Sequence, residues 1–350
     1  MGLKLEEVSK TWPGFTLNNI SLTVEDGEYF FILGPTGAGK TLLLETIMGF
    51  YKPDKGRILL DGQDVTNVPP EKRGIGYVSQ SPMLFPHMTV RQNIEFGLRM
   101  RKTSDKARNK MVDEVLTQTG LKNLEGRRPD GLSGGERQKV TLARVIAIQP
   151  KTIILDEPLA AVDAETAGQL KRELKRIHEE GKTIIHVTHN QVEAFSLGDK
   201  MAIMNRGSIA QAGKTRDVFL NPRNEFAARF LGYENVYEAH LVSTGKAASL
   251  VSIGRLLLKV SEQVSTDCVI GIRPEDVEVE TSPLRGGSAN ILEGSVIDWT
   301  DMGAIVTVNC NVGFVLKAIM TKSSFIKKDL KEGQNVWVAF KNENVKVIQL

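Results

Sequence analysis

Tyr29-Phe30-Phe31-Ile32-Leu33 runs directly into Gly34-Pro35-Thr36-Gly37-Ala38-Gly39-Lys40-Thr41, and Leu42, Leu43, Leu44, Ile47 and Met48 follow. A continuous apolar run of this length reads as a buried parallel strand. The glycines let the backbone turn tightly so that successive N–H groups point inward at an anion. A helix starting near Lys40 aims its positive end at the same point. Lys40 is then placed to reach the β- and γ-phosphates of a nucleotide, and the Thr41 hydroxyl to bind Mg²⁺. The spacing is specific: strand, glycine-rich loop and helix occur in the order that phosphate binding requires.

A second buried run, Thr152-Ile153-Ile154-Leu155, ends in Asp156-Glu157-Pro158. A strand-end aspartate suits the same Mg²⁺, and Glu157, one residue on, projects differently and can polarise the attacking water. The alternative for these carboxylates taken alone is a solvated acidic turn. A third run, Thr183-Ile184-Ile185-His186-Val187-Thr188, leads to His189, at the carboxyl end of a strand where open α/β sheets bind ligands. His186, inside that strand, reads as a core histidine. Gln80 follows Ile75-Gly76-Tyr77-Val78-Ser79, again at a strand's end, and is placed to touch the metal or the water. His87, His178 and His240 have no ligand-spaced partner in the sequence and are assigned no metal role. Leu132-Ser133-Gly134-Gly135-Glu136 is a second glycine-rich loop, with Ser133 at the N-cap of a helix through Gln138, Leu142, Val145 and Ile146. One domain cannot easily close both loops on one nucleotide, so the second surface is expected from another copy of the chain.

In this order the residues resemble the nucleotide-binding subunits of ABC transporters, over roughly Leu3 to Gly232. Gly34, Pro35, Thr36, Gly37, Ala38, Gly39, Lys40 and Thr41 look like the Walker A loop, and Ile153 to Glu157 like Walker B. Leu132 to Glu136 look like the family signature, Gln80 like the Q-loop glutamine, Leu159-Ala160-Ala161-Val162-Asp163 like the D-loop and His189 like the switch histidine. Trp12 resembles the aromatic that stacks on adenine. Glu136 and Lys139 stand where glutamine and arginine are usual. The resemblance implies a P-loop NTPase cassette of α/β class with a helical subdomain, binding ATP and Mg²⁺ in a homodimer. It also implies that Ser133 and Gly135 contact the γ-phosphate held by the opposite subunit.

Composition sets the surroundings. The chain has 350 residues, net charge +3 and 25% charged residues, which leaves room for two or three domains and gives no electrostatic footprint of nucleic-acid binding. Cys268 and Cys310 lie far apart in sequence, as in a reducing compartment. No apolar stretch approaches the roughly 20 residues that span a bilayer, and the first residues lack a signal peptide's layout. Transport therefore needs separate transmembrane permease subunits, with an extracytoplasmic binding protein acting indirectly, and the expected place is the cytoplasmic face of the membrane. Between Gln80 and the signature, residues about 83–150 alternate at helical spacing. The basic run Arg101, Lys102, Lys106, Arg108 and Lys110 reads either as a solvated face or as membrane-surface contact. Ser81 to Val90 resembles the segment that, in importer ATPases for oxyanions, polyamines and sugars, receives a permease helix. Met83, Leu84 and Phe85 would form an apolar socket there or pack in the core.

After Gly232 short alternating segments take over: 250–253, 256–260, 304–308, 314–319 and 336–340. They predict an all-β domain of oligonucleotide/oligosaccharide-binding type at 233–350, following a cassette at 1–232. Ile272-Arg273-Pro274-Glu275-Asp276-Val277 resembles a phrase of the regulatory domains in that importer subclass, and residues 288–350 resemble the molybdate-binding Mop domain. That likeness makes Ser288, Gly303, Lys322 and Ser323 the candidates for a compact oxyanion, which wants one positive charge and many donors. The function so implied is the ATPase of a molybdate or tungstate importer whose tail binds the oxyanion and inhibits transport. The same ATPase for sulfate, a polyamine or a sugar, with a silent tail, stays open. A cassette acting on DNA or ribosomes lacks here the long coiled-coil insertion or the second cassette, and a transcription factor lacks a helix-turn-helix.

Overall fold

A computed structural model describes residues 2–160, 162–245, 248–283 and 289–348. Its contacts divide the chain into Met1–Asp217 and Val218–Leu350, so residues 218–232, expected with the first domain, pack with the second.

The first unit is built on a six-stranded sheet. Its order is Ser208–Lys214, Lys200–Asn205, Tyr29–Leu33, Thr183–Thr188, Thr152–Asp156 and Ile75–Val78. All neighbours are parallel except the Ser208–Lys214 edge. Tyr29–Leu33, Thr152–Asp156 and Thr183–Thr188 are buried along their whole length, which explains their unbroken apolar sequence. In register, Leu33 lies beside Thr188, Asp156 beside Val187 and Val78 beside Leu155. The four loops that follow these strands therefore leave one edge of the sheet together. A four-stranded antiparallel sheet runs in the order Phe15–Val24, Leu3–Trp12, Lys55–Leu60 and Gln63–Asp64. It shares a core with the helix Lys40–Met48 through Leu17, Ile20, Leu43, Leu44 and Ile47.

The expected helical subdomain is present as Val90–Met100, Asp105–Gln118 and Gly134–Ala147, closed on Ile94, Leu98, Val112, Leu116, Val140 and Ala143. The basic run on its surface is largely committed within the subdomain. Arg108 pairs with Asp105 and Glu95, Lys110 with Glu114, and Arg101 donates to the Ile148 carbonyl.

The second unit is β-rich, as the alternation predicts, with a helix Glu225–Phe230 before the first strand. One five-stranded sheet orders Leu256–Val260, Ser249–Ile253, Asn235–Thr244, Cys268–Ile272 and Lys346–Ile348. The other orders Glu278–Glu280, Asn335–Lys341, Ala289–Asp301, Ile305–Asn311 and Val315–Thr321. They enclose one core around Val251, Leu258, Ile270, Val306, Val308, Leu316 and Phe340. Two buried asparagines stitch the sheets by imitating a strand partner. Asn235 exchanges hydrogen bonds with the Lys317 backbone (2.9 and 2.7 Å), and Asn290 does so with Lys259 (2.9 and 2.7 Å).

Candidate functional site

The shared sheet edge gathers the phosphate loop, Asp156, Glu157, His189 and the segment bearing Gln80. The loop turns into its helix through Gly39 at φ +97, where an added Cβ would stand 2.4 Å from the Phe15 ring. Lys40 is buried, and its ammonium donates to the carbonyls of Gly34 (2.8 Å) and Pro35 (3.0 Å). Burial lowers its pKa, opposed by Glu157 and Asp156. The same charge thus lies against the backbone of the glycine loop.

Thr41 sits across from Asp156, its hydroxyl 3.2 and 3.4 Å from the two carboxylate oxygens. The Tyr77 hydroxyl reaches the same carboxylate at 3.5 Å. Burial raises the Asp156 pKa, with the Thr41 hydrogen bond pulling the other way. A hard divalent cation that keeps most of its own waters needs only such an oxygen pair, so these residues fit Mg²⁺. Among the described residues no group of three or more His, Cys, Asp and Glu side chains could cage a metal by itself.

Glu157 occupies left-handed backbone, φ +45, with its N–H bonded to the Val187 carbonyl at 2.9 Å. This turn carries its carboxylate away from Asp156 and toward His189, whose Nδ1 lies 3.2 Å from Glu157 Oε1. His186 is fully buried, accepting or donating at Nδ1 with the Tyr29 hydroxyl (3.0 Å) and stacked on Phe31. Desolvation pushes its pKa down to about 3. It belongs to the core, as the strand pattern predicts. Gln80 is exposed just past the Ile75–Val78 strand.

Ser133 caps the helix Gly134–Ala147 by a reciprocal pair. Its hydroxyl accepts from the Glu136 N–H (3.2 Å), and its own N–H donates to the Glu136 carboxylate (2.7 Å). The carboxylate at 136 therefore serves the cap, and that backbone bond holds its pKa below the usual range. Gly135 is buried against Thr166, where a Cβ would meet the threonine methyl at 2.7 Å. Thr166 lies in the first turn of Ala164–Glu179, whose N-cap is Asp163. Ala161 of the D-loop-like string lies outside the described residues.

Trp12 stands edge-on to Tyr51, ring centroids 5.2 Å apart, and its indole N–H is buried with no hydrogen-bond partner. Tyr51, Phe15 and Tyr77 carry no motif in the sequence that marks them for this site. Of the socket candidates, Met83 is 68% exposed, whereas Leu84 packs on the helical core and Phe85 on Phe96 at 4.5 Å. Two histidines without sequence neighbours find carboxylates in space: His178 meets Asp199 (3.1 Å) and His240 meets Asp267 (2.8 Å). These are single pairs across distant segments, which spacing along the chain cannot reveal.

In the second unit, three of the four oxyanion candidates come together and Ser288 lies outside the described residues. Lys322 begins the helix Lys322–Lys328, and the Ser323 hydroxyl lies 3.1 Å from that of Thr321. The Gly303 N–H donates to Asp301 Oδ1 at 2.9 Å, and the Lys322 ammonium pairs with the same carboxylate. Asp301, missed in the sequence, thus holds the charge and one of the donors that an oxyanion would use.

The chain matches the ABC transporter family over residues 17–160 and the TOBE domain over residues 270–348. It is 44% identical to the molybdate/tungstate import ATP-binding protein WtpC of Pyrococcus horikoshii over 99% of each chain. It is 39% identical to the spermidine/putrescine import ATP-binding protein PotA of Nitrosomonas eutropha, over 92% of this chain and 91% of that one. A solved dimeric ATP-binding cassette in a post-hydrolysis state, bound to ADP and Pi, superposes with TM-score 0.56 at 30% identity. That likeness covers 61% of this chain and 99% of the other.

Proposed function

This chain belongs to the ATP-binding subunits of ABC transporters, is the ATPase of an importer and carries a TOBE domain; on that premise we propose that it powers uptake of molybdate or tungstate. The higher identity to the molybdate/tungstate import protein, 44% over 99% of each chain against 39% over 92% for the spermidine/putrescine relative, supports the cargo assignment. The spermidine/putrescine relative supports the second reading, a polyamine importer with a tail that binds no oxyanion. Equilibrium dialysis of the full chain against molybdate, tungstate, sulfate and spermidine separates them. Saturable binding of the first two supports the proposal; binding of none, or of spermidine alone, contradicts it.

In the hydrolytic step the residues divide the work. The Lys40 ammonium exchanges the Gly34 and Pro35 carbonyls for β- and γ-phosphate oxygens, with the helix N-terminus and the loop N–H groups behind it. Mg²⁺ held between Thr41 and Asp156 would neutralise charge on those phosphates. Glu157 orients and polarises the attacking water, and His189, 3.2 Å from it, fixes that carboxylate and meets the γ-phosphate. Gln80 approaches the metal or the water from the strand alongside. Trp12, with Tyr51 at its edge, stacks on the adenine.

Ser133 and Gly135 seal the triphosphate held by the other copy. The capping box engages the N–H groups of Ser133 and Glu136 and leaves those of Gly134 and Gly135, in the first turn, to contact an anion. ATP then joins two chains, and loss of the γ-phosphate releases them, a two-state element biased by its ligand. The chain works at the cytoplasmic face of the membrane with separate permease subunits; no helix among the described residues is long and apolar enough to cross. In the tail, a tetrahedral dianion displaces Asp301 from Lys322 and Gly303, with Ser323 as a further donor. Its occupation favours cassettes held apart and so slows transport.

A further inference from the structure

A cavity of about 430 Å³ opens between the end of the helix Asp105–Gln118, the capped helix Gly134–Ala147 and the helix Ala164–Glu179. None of the nucleotide residues above lines it, apart from sharing the helix that Ser133 begins. We propose that this cavity binds a small phosphorylated polyanion, a phosphate ester or a diphosphate.

Lys139, Arg172 and Arg176 face the cavity together with one carboxylate, Glu173. Glu173 is already engaged, accepting from Gln118 Nε2 at 2.7 Å and from Arg176 Nη2 at 3.1 Å. Lys139 leans on the neutral amide oxygen of Gln169. Among the described residues, neither Lys139 nor Arg172 has a carboxylate within ion-pair distance. Two positive charges are therefore left over in one concavity, where low-dielectric walls strengthen their pull on an anion.

Arg172 and Arg176 are one helical turn apart, on the same face. The Arg176 Nε–H is buried and makes no hydrogen bond, its one partner being a long ion pair with Glu180 at 3.8 Å. Planar guanidinium forks match phosphate oxygens in pairs, which a lone ammonium does not. Leu142 and Leu170 floor the cavity, so an ester's organic part has an apolar seat. The volume lies within the range of small-ligand pockets. Seated there, the anion would tie Lys139 of the signature helix to the arginines of the helix begun by Asp163, the same two helices that meet at Gly135 and Thr166.

Pyrophosphate is the probe, titrated calorimetrically into the full chain carrying Lys40→Ala, which weakens phosphate capture by the glycine loop, in about 0.15 M salt. We expect saturable binding of one equivalent per chain. Loss of one charge-assisted contact should weaken it about tenfold in Arg172→Gln and, separately, in Lys139→Gln. Lys322→Ala should leave it unmoved. Absence of saturable binding up to millimolar pyrophosphate overturns the proposal, as does binding indifferent to both cavity substitutions. Binding lost through Lys322→Ala also overturns it, and assigns the anion to the tail instead.

Discussion

Glu157 is held in left-handed backbone, which an ordinary side chain pays about 1 kcal/mol or more to adopt. The turn separates two adjacent carboxylates, one aimed at Thr41 and the other at His189. Glu157→Gln keeps the shape and removes the charge proposed to polarise water. We expect ATP affinity unchanged and turnover reduced by about 10²-fold or more, read by equilibrium binding and steady-state hydrolysis. Hydrolysis near the normal rate in that variant would remove Glu157 from its role. His186 makes a different prediction at the same scale. Its native pKa of about 3 lies below the ordinary 6.5, so between those values the unfolded chain binds a proton that the native chain refuses. Stability should therefore fall as pH falls through this window, by up to about 1.4 kcal/mol per pH unit from this residue. The raised carboxyls of Asp156 and Glu193 act in the opposite sense, so the test is a difference. Denaturant unfolding at pH 7 and pH 5 should lose less stability in His186→Leu than in the parent chain. An equal loss would show that His186 charges freely inside the fold.

At the scale of elements, the two helix ends that matter are secured differently. The helix Lys40–Met48 ends on Arg73, whose guanidinium donates to the carbonyls of Thr46 and Ile47, and also to that of Val68. Burial lowers the Arg73 pKa, but these carbonyl bonds keep the charge useful at a helix carboxyl end. Arg73→Met should cost about 2–4 kcal/mol of unfolding free energy, since buried carbonyls lose their donors; a cost under half that would mean water replaces the arginine. The signature helix instead starts on the Ser133–Glu136 box. Ser133→Ala removes one cap bond, for about 1 kcal/mol, while Ser133→Arg should abolish hydrolysis without weakening ATP binding to its own chain. This capping box shows why the departure from the usual glutamine at 136 leaves the loop intact: either side chain can reach the Ser133 N–H.

Much of this level was legible in the sequence. Apolar runs give the buried parallel strands, because burial on both faces removes alternation, and glycine spacing gives the loop between them. The edge-on pairing of Trp12 with Tyr51, the Tyr77 contact to Asp156 and the engagement of Phe85 by Phe96 were not legible. Each depends on which of several surfaces an aromatic turns toward. Contacts group residues 218–232 with the β-rich unit, and the short helix Glu225–Phe230 carries no sequence mark of which core it joins.

On the scale of the whole molecule, the chain combines a cassette with a β-rich unit in which two of the candidate oxyanion donors, Lys322 and Gly303, are already engaged by Asp301. That arrangement predicts opposite effects from two neighbouring substitutions. Lys322→Ala should weaken tungstate binding, whereas Asp301→Ala should tighten it severalfold by freeing both the lysine and the Gly303 N–H. Equal weakening by both would place the oxyanion elsewhere.

Each triphosphate is proposed to be completed by two chains, and complementation between two inactive variants tests this. Lys40→Ala and Ser133→Arg are each expected to be inactive, one lacking the cradle and the other its seal. Mixed and allowed to exchange, they should recover hydrolysis to about a quarter of the parent rate, because half the dimers then carry one intact composite site. Mixtures that stay inactive while exchange is demonstrated, or a Ser133→Arg chain that hydrolyses ATP unaided, would contradict it.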